Sequence, residues 1–448
     1  MAGPNQTPKN KDVLNLAWPM TVKAIMLHGT VVIDTLLVAP LGEAALAAMA
    51  LATAVAGFVL GIILAIANAL QIRVAQAKGT ADQNFIRSTF WIGIGINICV
   101  GLSGLLTILI FGDDVIHIMA QVPDLNAMAN DYLSIFVIVI LGEALGQALS
   151  SYFNGLGNTR LPMFSYLLSV PVNIIASLIF IHGVGFVPEF GIKGAAIGSA
   201  IAVSAQAIFL AICAYRSQTS LPDVWHHGSV ANALSRHMKF ALPIVVTFVS
   251  AAFATHICTL IYAKMALNDF AALAIISPWI MVAGTIGMQW AQASGIIVAH
   301  MLGQGADADD LNRFLKQAWF GAAGCAIFVA LTFGGMCLLV DVFYPSLTEE
   351  TLRLLIAFLP ILVLLPFPKG SNAMCGNTLR AAGDTIAVMH IFVWSQWLFR
   401  VPATALFILV WDLNAVWVLS IQLIEEVMKF PLFHRRFLYS DWRSGRLL

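Results

Sequence analysis

The sequence predicts an all-α polytopic membrane protein with twelve transmembrane helices in two related halves. Composition is one reason, because 60% of the 448 residues are hydrophobic and only 10% are charged, whereas soluble domains carry about a quarter charged residues. Long apolar stretches recur along the chain, and the second half repeats motifs of the first. The formal net charge is zero, which argues against a nucleic-acid partner.

The apolar stretches define the predicted spans, since a helix needs about 20 apolar residues to cross the hydrocarbon core. Spans are predicted near residues 16–40, 46–72, 89–112, 131–155, 161–183, 192–215, 237–264, 270–299, 315–341, 350–376, 385–410 and 413–434. Residues 1–12 are polar and the first stretch is too long for a signal peptide, so we expect no leader. Basic residues collect in the loops on one side and acidic residues on the other, which predicts cytoplasmic termini in a plasma (inner) membrane.

The two halves are related by a period of about 225 residues. Leu16-Ala17-Trp18-Pro19 matches Phe240-Ala241-Leu242-Pro243, and Gly157-Asn158-Thr159 matches Gly383-Asp384-Thr385. Halves with an even number of spans are parallel repeats, and transporters built in this way place their site between the repeats. We predict an N-lobe over residues 1–216, a cytoplasmic linker over 217–235 and a C-lobe over 236–448.

The first span carries a single acid, Asp34. A carboxylate at membrane depth is costly and marks a candidate functional site. At helical spacing Thr30 and Lys23 share its face, with Lys23 about 16 Å nearer the cytoplasm at 1.5 Å per residue. Both are candidates for the substrate cavity. Because protonation removes the buried charge, the sequence favours proton coupling at Asp34. The alternative is a structural ion pair with another helix.

The fourth span carries a polar stripe of Glu143, Gln147, Ser150 and Asn154 at positions i, i+4, i+7 and i+11. Such a stripe cannot face lipid, so it lines the bundle interior or a wet cavity. In the repeat, Lys369 takes the position of Glu143. For these two residues, lining of a substrate cavity and structural ion pairing both stay open.

Further polar residues at depth are candidates for the ion site or the substrate cavity. They are Asn173 for the ion site, and His256, Gln289, Asn372 and Gln396 for the cavity. A lone histidine in an apolar span is more often a hydrogen-bonded structural residue than a relay. Glu425 and Lys429 have the favourable order for an i, i+4 pair within the last span.

The sequence predicts no enzyme. The metalloprotease, nucleophile-elbow and P-loop motifs do not occur in the chain, so ATP drive is not expected. The six cysteines show no metal-ligand spacing. We therefore expect no metal and no cofactor, only a coupling ion, H⁺ or alternatively Na⁺.

Several motifs, in order over nearly the whole chain, resemble the multidrug and toxic compound extrusion (MATE) family. They are Pro19 with Asp34, the segments 41–48, 74–79, 155–162, 191–196 and 379–385, Arg400-Val401-Pro402 and Val416-Trp417. The resemblance implies two six-helix lobes around a V-shaped central cavity. It also implies export of amphipathic drugs or toxic organic compounds by alternating access, in exchange for protons or sodium ions.

Three positions depart from the family pattern. Acids that sodium-type members carry in the seventh and tenth spans are Ala251 and Lys369 here, and an Asp common after Asn173 is Ser177. The C-lobe thus lacks the family's acidic ion site. In this respect the chain resembles the DinF-type branch of the family, in which coupling is assigned to the N-lobe. We expect a proton-coupled antiporter that uses Asp34 and Asn173.

Four other functions fit the sequence less well. Within the same superfamily they are a sodium-coupled exporter and a lipid-linked oligosaccharide flippase, which would need a basic cavity. An ion channel is disfavoured because the polar stripes are asymmetric and no filter motif repeats. A membrane-embedded enzyme would need a nucleophile or metal set. The expected partners are small amphipathic molecules and membrane lipids, and we expect a monomer.

Overall fold

Fifteen α-helices account for most of the chain in the computed structural model, which describes residues 8–119, 123–217, 220–226, 228–339 and 347–444. In the first half they are α1 Asn10–Val38, α2 Glu43–Gly79, α3 Gln83–Met119, α4 Pro123–Gly155, α5 Arg160–His182 and α6 Ile192–Arg216. In the second half they are α7 Val230–Tyr262, α8 Leu267–Gly303, α9 Ala308–Leu338, α10 Glu349–Ala357, α11 Leu359–Leu364, α12 Pro366–Ala381, α13 Thr385–Trp394, α14 Val401–Ala405 and α15 Ala415–Tyr439.

Short irregular helices complete the chain. Ala39–Leu41 and Asp441–Ser444 are 3₁₀ turns, and the wider π geometry occupies Ser395–Arg400 and Leu406–Val410 on either side of α14. Every regular element within the described residues is helical. The linker positions 218, 219 and 227, and the chain ends at 1–7 and 445–448, lie outside the described residues.

The predicted all-helical membrane fold is confirmed. Within the described residues, ten helices are long and apolar enough to cross a membrane, namely α1 to α9 and the stretch Thr385–Val410. The tenth predicted span corresponds to Glu349–Leu364 and Pro366–Ala381, which meet at a bend of 40°. Pro366 begins the second part, where its missing N–H and its ring stop the preceding helix from continuing straight. The twelfth, α15, is less apolar because charged residues lie at its centre.

The sequence repeat is also visible in the backbone. Gly157 and Gly383 end equivalent helices with φ of 83° and 92°, values that favour glycine. The next amide bonds back across each turn, from Asn158 N to Phe153 O at 2.8 Å and from Asp384 N to Leu379 O at 2.9 Å. The matched glycine motifs therefore encode the same helix-ending turn in both halves.

The described chain forms two compact units, and the boundaries between the units lie inside helices α1 and α7. One unit comprises residues 22–245, called the N-unit here, and the other comprises residues 1–21 and 246–448, called the C-unit. The first turns of α1 thus belong to the C-unit, and the first half of α7 belongs to the N-unit. The lobe boundaries predicted at residues 216 and 236 stay a prediction.

Each unit has its own apolar core. In the N-unit, Ile63, Tyr132 and Ile140 are among the fully buried side chains that hold α2 and α4 together. Helices α5 and α6 approach so closely that a Cβ on Gly194 would lie 2.3 Å from the backbone carbon of Phe180. In the C-unit, Phe358 and Leu362 are fully buried members of a separate apolar cluster.

The linker is attached to α3 within the N-unit. The Trp91 ring N–H donates to the Ser220 carbonyl at 3.2 Å, and the His226 amide donates to the Ser88 hydroxyl at 3.0 Å. The His226 ring stacks on Phe85 with centroids 3.8 Å apart. These contacts give the polar segment before α7 a defined place.

Candidate functional site

Asp34 lies on α1 at the end of a chain of hydrogen bonds that crosses two other helices. Its Oδ2 accepts a bond of 3.4 Å from the Ser199 hydroxyl of α6. The same hydroxyl accepts from Asn173 Nδ2 of α5 at 3.1 Å. Asn173 and Ser199 are both buried. The predicted ion-site residues Asp34 and Asn173 are therefore brought together, with Ser199 between them.

Three oxygen atoms near this chain have unused hydrogen-bonding capacity. Asp34 Oδ1, Asn173 Oδ1 and Ser177 Oγ are buried and have no hydrogen-bond partner among the described residues. Buried polar atoms normally find a partner, so an unsatisfied set calls for an explanation. A carboxyl group in this setting can take up a proton, or the three oxygens can ligate a small cation.

A second polar group of the N-unit surrounds Gln147 on α4. Lys23 Nζ of α1 donates to Gln147 Oε1 at 3.2 Å, and Gln147 Nε2 donates to Glu143 Oε2 at 2.8 Å. The amide also donates to the Tyr166 hydroxyl at 2.9 Å, and the Lys23 ammonium lies 5.4 Å from the centre of that ring. The amide thus connects a cation and a carboxylate that are not in direct contact.

The remaining predicted residues of the N-unit make fewer side-chain hydrogen bonds. The Thr30 hydroxyl donates to the Met26 carbonyl of its own helix at 3.0 Å. The Ser150 hydroxyl is fully buried without a partner among the described residues. Asn154 Nδ2 donates to Gln71 Oε1 at 3.1 Å, so the C-terminal residue of the predicted stripe is hydrogen-bonded to α2.

The C-unit contains a buried charge cluster on α15. Lys429 Nζ is 3.2 Å from Glu425 Oε1 and 2.8 Å from Glu426 Oε1, and its side chain is 3% exposed. The predicted intrahelical pair between Glu425 and Lys429 is present. Asn372 Nδ2 of α12 donates to Glu426 Oε2 at 2.8 Å, and the Ser395 hydroxyl donates to Glu425 Oε1 at 3.1 Å. Predicted Asn372 thus joins this cluster.

Lys369 lies near the cluster but is not bonded to it. None of the described carboxylates lies within ion-pair distance of its ammonium, and it makes no hydrogen bond within the described residues. Lys369 lines a partly open pocket between α8, α9 and α12. Of the two roles that the sequence left open for this lysine, the geometry favours cavity lining.

Three other predicted cavity residues are not among those that line this pocket. Gln396 is buried and accepts a 2.9 Å bond from the Ser250 hydroxyl of α7. Gln289 is half-buried, and His256 is exposed on α7. No group of His, Cys, Asp and Glu side chains suited to a metal ion occurs in the part of the chain that the structure describes.

The model of the MatE family matches two segments of the chain, residues 19–179 and 243–406. Together they cover most of the chain, and their first residues, Pro19 and Pro243, are 224 positions apart. This spacing agrees within two residues with the repeat seen in the sequence and in the backbone turns at Gly157 and Gly383.

The chain belongs to the MATE family.

Relatives and solved structures of this family extend over most of the chain. A relative in Rhizobium meliloti (strain 1021), named "Probable multidrug resistance protein NorM", is 26% identical over 81% of this chain and 79% of its own length. The transporter YisQ of Bacillus subtilis (strain 168) is 23% identical over 97% of this chain and 94% of its own length. A solved MOP superfamily transporter from Pyrococcus furiosus, described as having a binding pocket of reverse polarity, is 16% identical. It superposes with a TM-score of 0.84 over 96% of both chains.

Sequence reasoning missed three residues of these MATE sites. Ser199 connects Asp34 to Asn173, and Glu426 is the closest acid to Lys429. Gln206 of α6 is buried and interacts with the Tyr166 hydroxyl group. A serine in a small-residue helix gives no signal by itself. Glu426 did give a sequence signal, because two adjacent acidic residues in an apolar span are as unusual as the single acid Asp34.

Proposed function

We propose that this protein is a secondary-active exporter of amphipathic drugs or toxic organic compounds, driven by proton entry at Asp34. Its family and the relatives named as multidrug resistance proteins support the export of drugs. The hydrogen-bond chain from Asp34 through Ser199 to Asn173 supports the coupling site. The single observation that carries the proposal is the buried Oδ1 of Asp34, which has no hydrogen-bond partner among the described residues.

The chemistry of the cycle follows from the state of that carboxyl. When Asp34 is ionised, its Oδ2 accepts from Ser199, which holds α1 against α6. Protonation removes a charge from a low-dielectric site, so this hydrogen bond is no longer charge-assisted and becomes weaker. Ser199 is then free to donate elsewhere, and α1 can repack. When Asp34 returns to the ionised state, it releases the proton inside the cell. Each transport cycle therefore couples the entry of one proton to one repacking of α1.

A sodium-coupled exporter is the second candidate, and one observation favours it. Asp34 Oδ1, Asn173 Oδ1 and Ser177 Oγ are oxygen atoms with unused lone pairs in one region of the N-unit. Hard cations prefer several oxygen ligands. Water or backbone carbonyls would complete the shell of a bound sodium ion. Such a site would need Asp34 ionised in every turnover.

The experiment uses purified protein in proteoliposomes loaded with a fluorescent amphipathic substrate. A proton gradient and a sodium gradient are imposed separately. We expect the proton gradient alone to drive transport, and Asp34→Asn to abolish it while the protein still inserts. Asp113→Asn, which neutralises an exposed acid at the end of α3, is the matched control and should transport like the wild type.

Two outcomes contradict the proposal. Transport by Asp34→Asn at the wild-type rate would remove Asp34 from the coupling mechanism. Transport that requires sodium and ignores a protonophore would assign the site to sodium.

A further inference from the structure

The pocket beside Lys369 has the properties of an apolar binding site with one charged group. The pocket is partly open, and Lys369 is the single charged residue among the described residues that line it. Small residues on three helices provide the space, namely Gly284, Gly287, Ala322, Ala326, Gly370 and Ala373. Ligand pockets are typically lined in this way, with a few polar groups that fix the orientation of the bound molecule.

The ammonium of Lys369 has no counter-ion of its own. No described carboxylate lies within 4.0 Å of it, and a Cβ on Gly284 would lie 3.5 Å from its Nζ. An ammonium group away from bulk water is strongly destabilising unless it is paired and hydrogen-bonded. As far as the described residues go, this ammonium group faces an apolar space and has no hydrogen-bond acceptor.

The neighbouring charges do not supply the missing partner. The charged groups around Lys369 are Glu425, Glu426, Lys429 and Arg400, so with Lys369 the cluster holds three cations and two carboxylates. Both carboxylates contact Lys429, and each accepts a further hydrogen bond, Glu426 from Asn372 and Glu425 from Ser395. The cluster therefore retains one positive charge, and of the two unpaired cations only Lys369 lines the pocket.

We propose that the Lys369 pocket binds amphipathic organic anions, with the ligand carboxylate on the Lys369 ammonium and its apolar body against α8 and α9. The anion neutralises the excess charge and gives the lysine its hydrogen-bond acceptor. An organic cation would add to the excess charge and is excluded from this pocket. The inference rests on the proposed export function for its biological meaning, since it names the substrate class, but binding itself does not depend on ion coupling.

The test measures binding of three probes of nearly equal shape to the full protein in nanodiscs. The probes are 2-naphthoate, neutral 2-naphthamide and cationic 2-naphthylmethylammonium. Their binding is measured by isothermal titration calorimetry. We expect the wild type to bind naphthoate about tenfold or more tightly than naphthamide, because only the anion forms a charge-assisted bond. The ammonium probe should not compete with naphthoate.

Variants locate the site. Lys369→Met should bring naphthoate binding down to the level of naphthamide, whereas Lys369→Arg should keep the preference for the anion. Gly284→Leu should weaken both probes, because the added side chain enters the pocket. Lys264→Met removes an exposed lysine of the same unit and should change nothing. Unchanged naphthamide binding by Lys369→Met shows that the variant is folded.

Naphthoate binding that is equal in the wild type and in Lys369→Met overturns the inference, and so does equal competition by the ammonium probe. The Asp34→Asn variant separates this inference from the proposed function. If it binds naphthoate normally but exports nothing, both stand. If it binds and exports, the coupling proposal fails while the anion pocket stands.

Discussion

Replacing Lys429 by methionine should strongly destabilise the C-unit. The lysine contacts Glu425 at 3.2 Å and Glu426 at 2.8 Å, and all three side chains are buried or nearly so. Methionine keeps most of the volume of the stem, so the effect is electrostatic rather than a cavity. Breaking a buried pair by removing one partner costs about 3–5 kcal/mol, because the other charge stays uncompensated.

The hydrogen bonds that survive place the expected value near the lower end of that range. Glu426 keeps its bond from Asn372, and Glu425 keeps its bond from Ser395. We therefore expect a loss of about 3 kcal/mol in the free energy of unfolding, which is roughly a hundredfold in the unfolding equilibrium. Tryptophan fluorescence during SDS titration in mixed micelles measures it.

The control variants make the test specific. Lys316→Met, at an exposed position of α9, should unfold like the wild type. The triple change Lys429→Met, Glu425→Gln and Glu426→Gln removes all three charges of these two ion pairs and should recover most of the lost stability. The reasoning is refuted if Lys429→Met is as stable as the wild type, or if the triple variant is no more stable than the single one.

Two further predictions concern packing and the linker. Gly194→Ala should cost about 1–3 kcal/mol, because its Cβ would overlap the Phe180 backbone; Gly29→Ala, with open space around it, is the control in thermal unfolding. Partial burial and the nearby positive charge of Arg73 lower the pKa of His226 from its ordinary value of 6.5, although Asp82 opposes the shift. Stability from this contact is therefore complete above about pH 6.5 and declines as the pH falls. Hydrogen exchange of residues 220–226 should accelerate on acidification more in the wild type than in His226→Phe, and equal acceleration would contradict this.

The fold was largely predictable because hydrophobicity and repetition are strong signals in a membrane protein. Apolar runs of sufficient length leave few alternatives to helices, since unsatisfied backbone groups are not tolerated in lipid. The matched Gly157 and Gly383 motifs gave the repeat, and both turns have the positive φ that glycine permits. The bend before Pro366 was harder to place, because prolines such as Pro19 and Pro171 lie inside uninterrupted helices.

The candidate site was predictable at its charged residues and not at its neutral ones. Asp34 and Lys369 stand out because charge is rare in apolar spans. The Ser199 hydroxyl that connects Asp34 to Asn173 is one of many serines, and only the packing of α6 against α1 and α5 selects it. The pocket beside Lys369 was likewise hidden, since glycine and alanine at helical spacing usually indicate close packing rather than free volume.

The division of the chain into two units has a mechanical consequence. As far as the described residues go, the backbone passes between the units only twice, at residues 21/22 in α1 and at 245/246 in α7. These crossings are 224 positions apart, and each follows a proline by two residues, Pro19 and Pro243. Neither crossing is a loop, so displacement of one unit against the other must be absorbed as twisting or bending inside a helix. The linker lies wholly within the N-unit, so lengthening it should leave the stiffness of the connection unchanged.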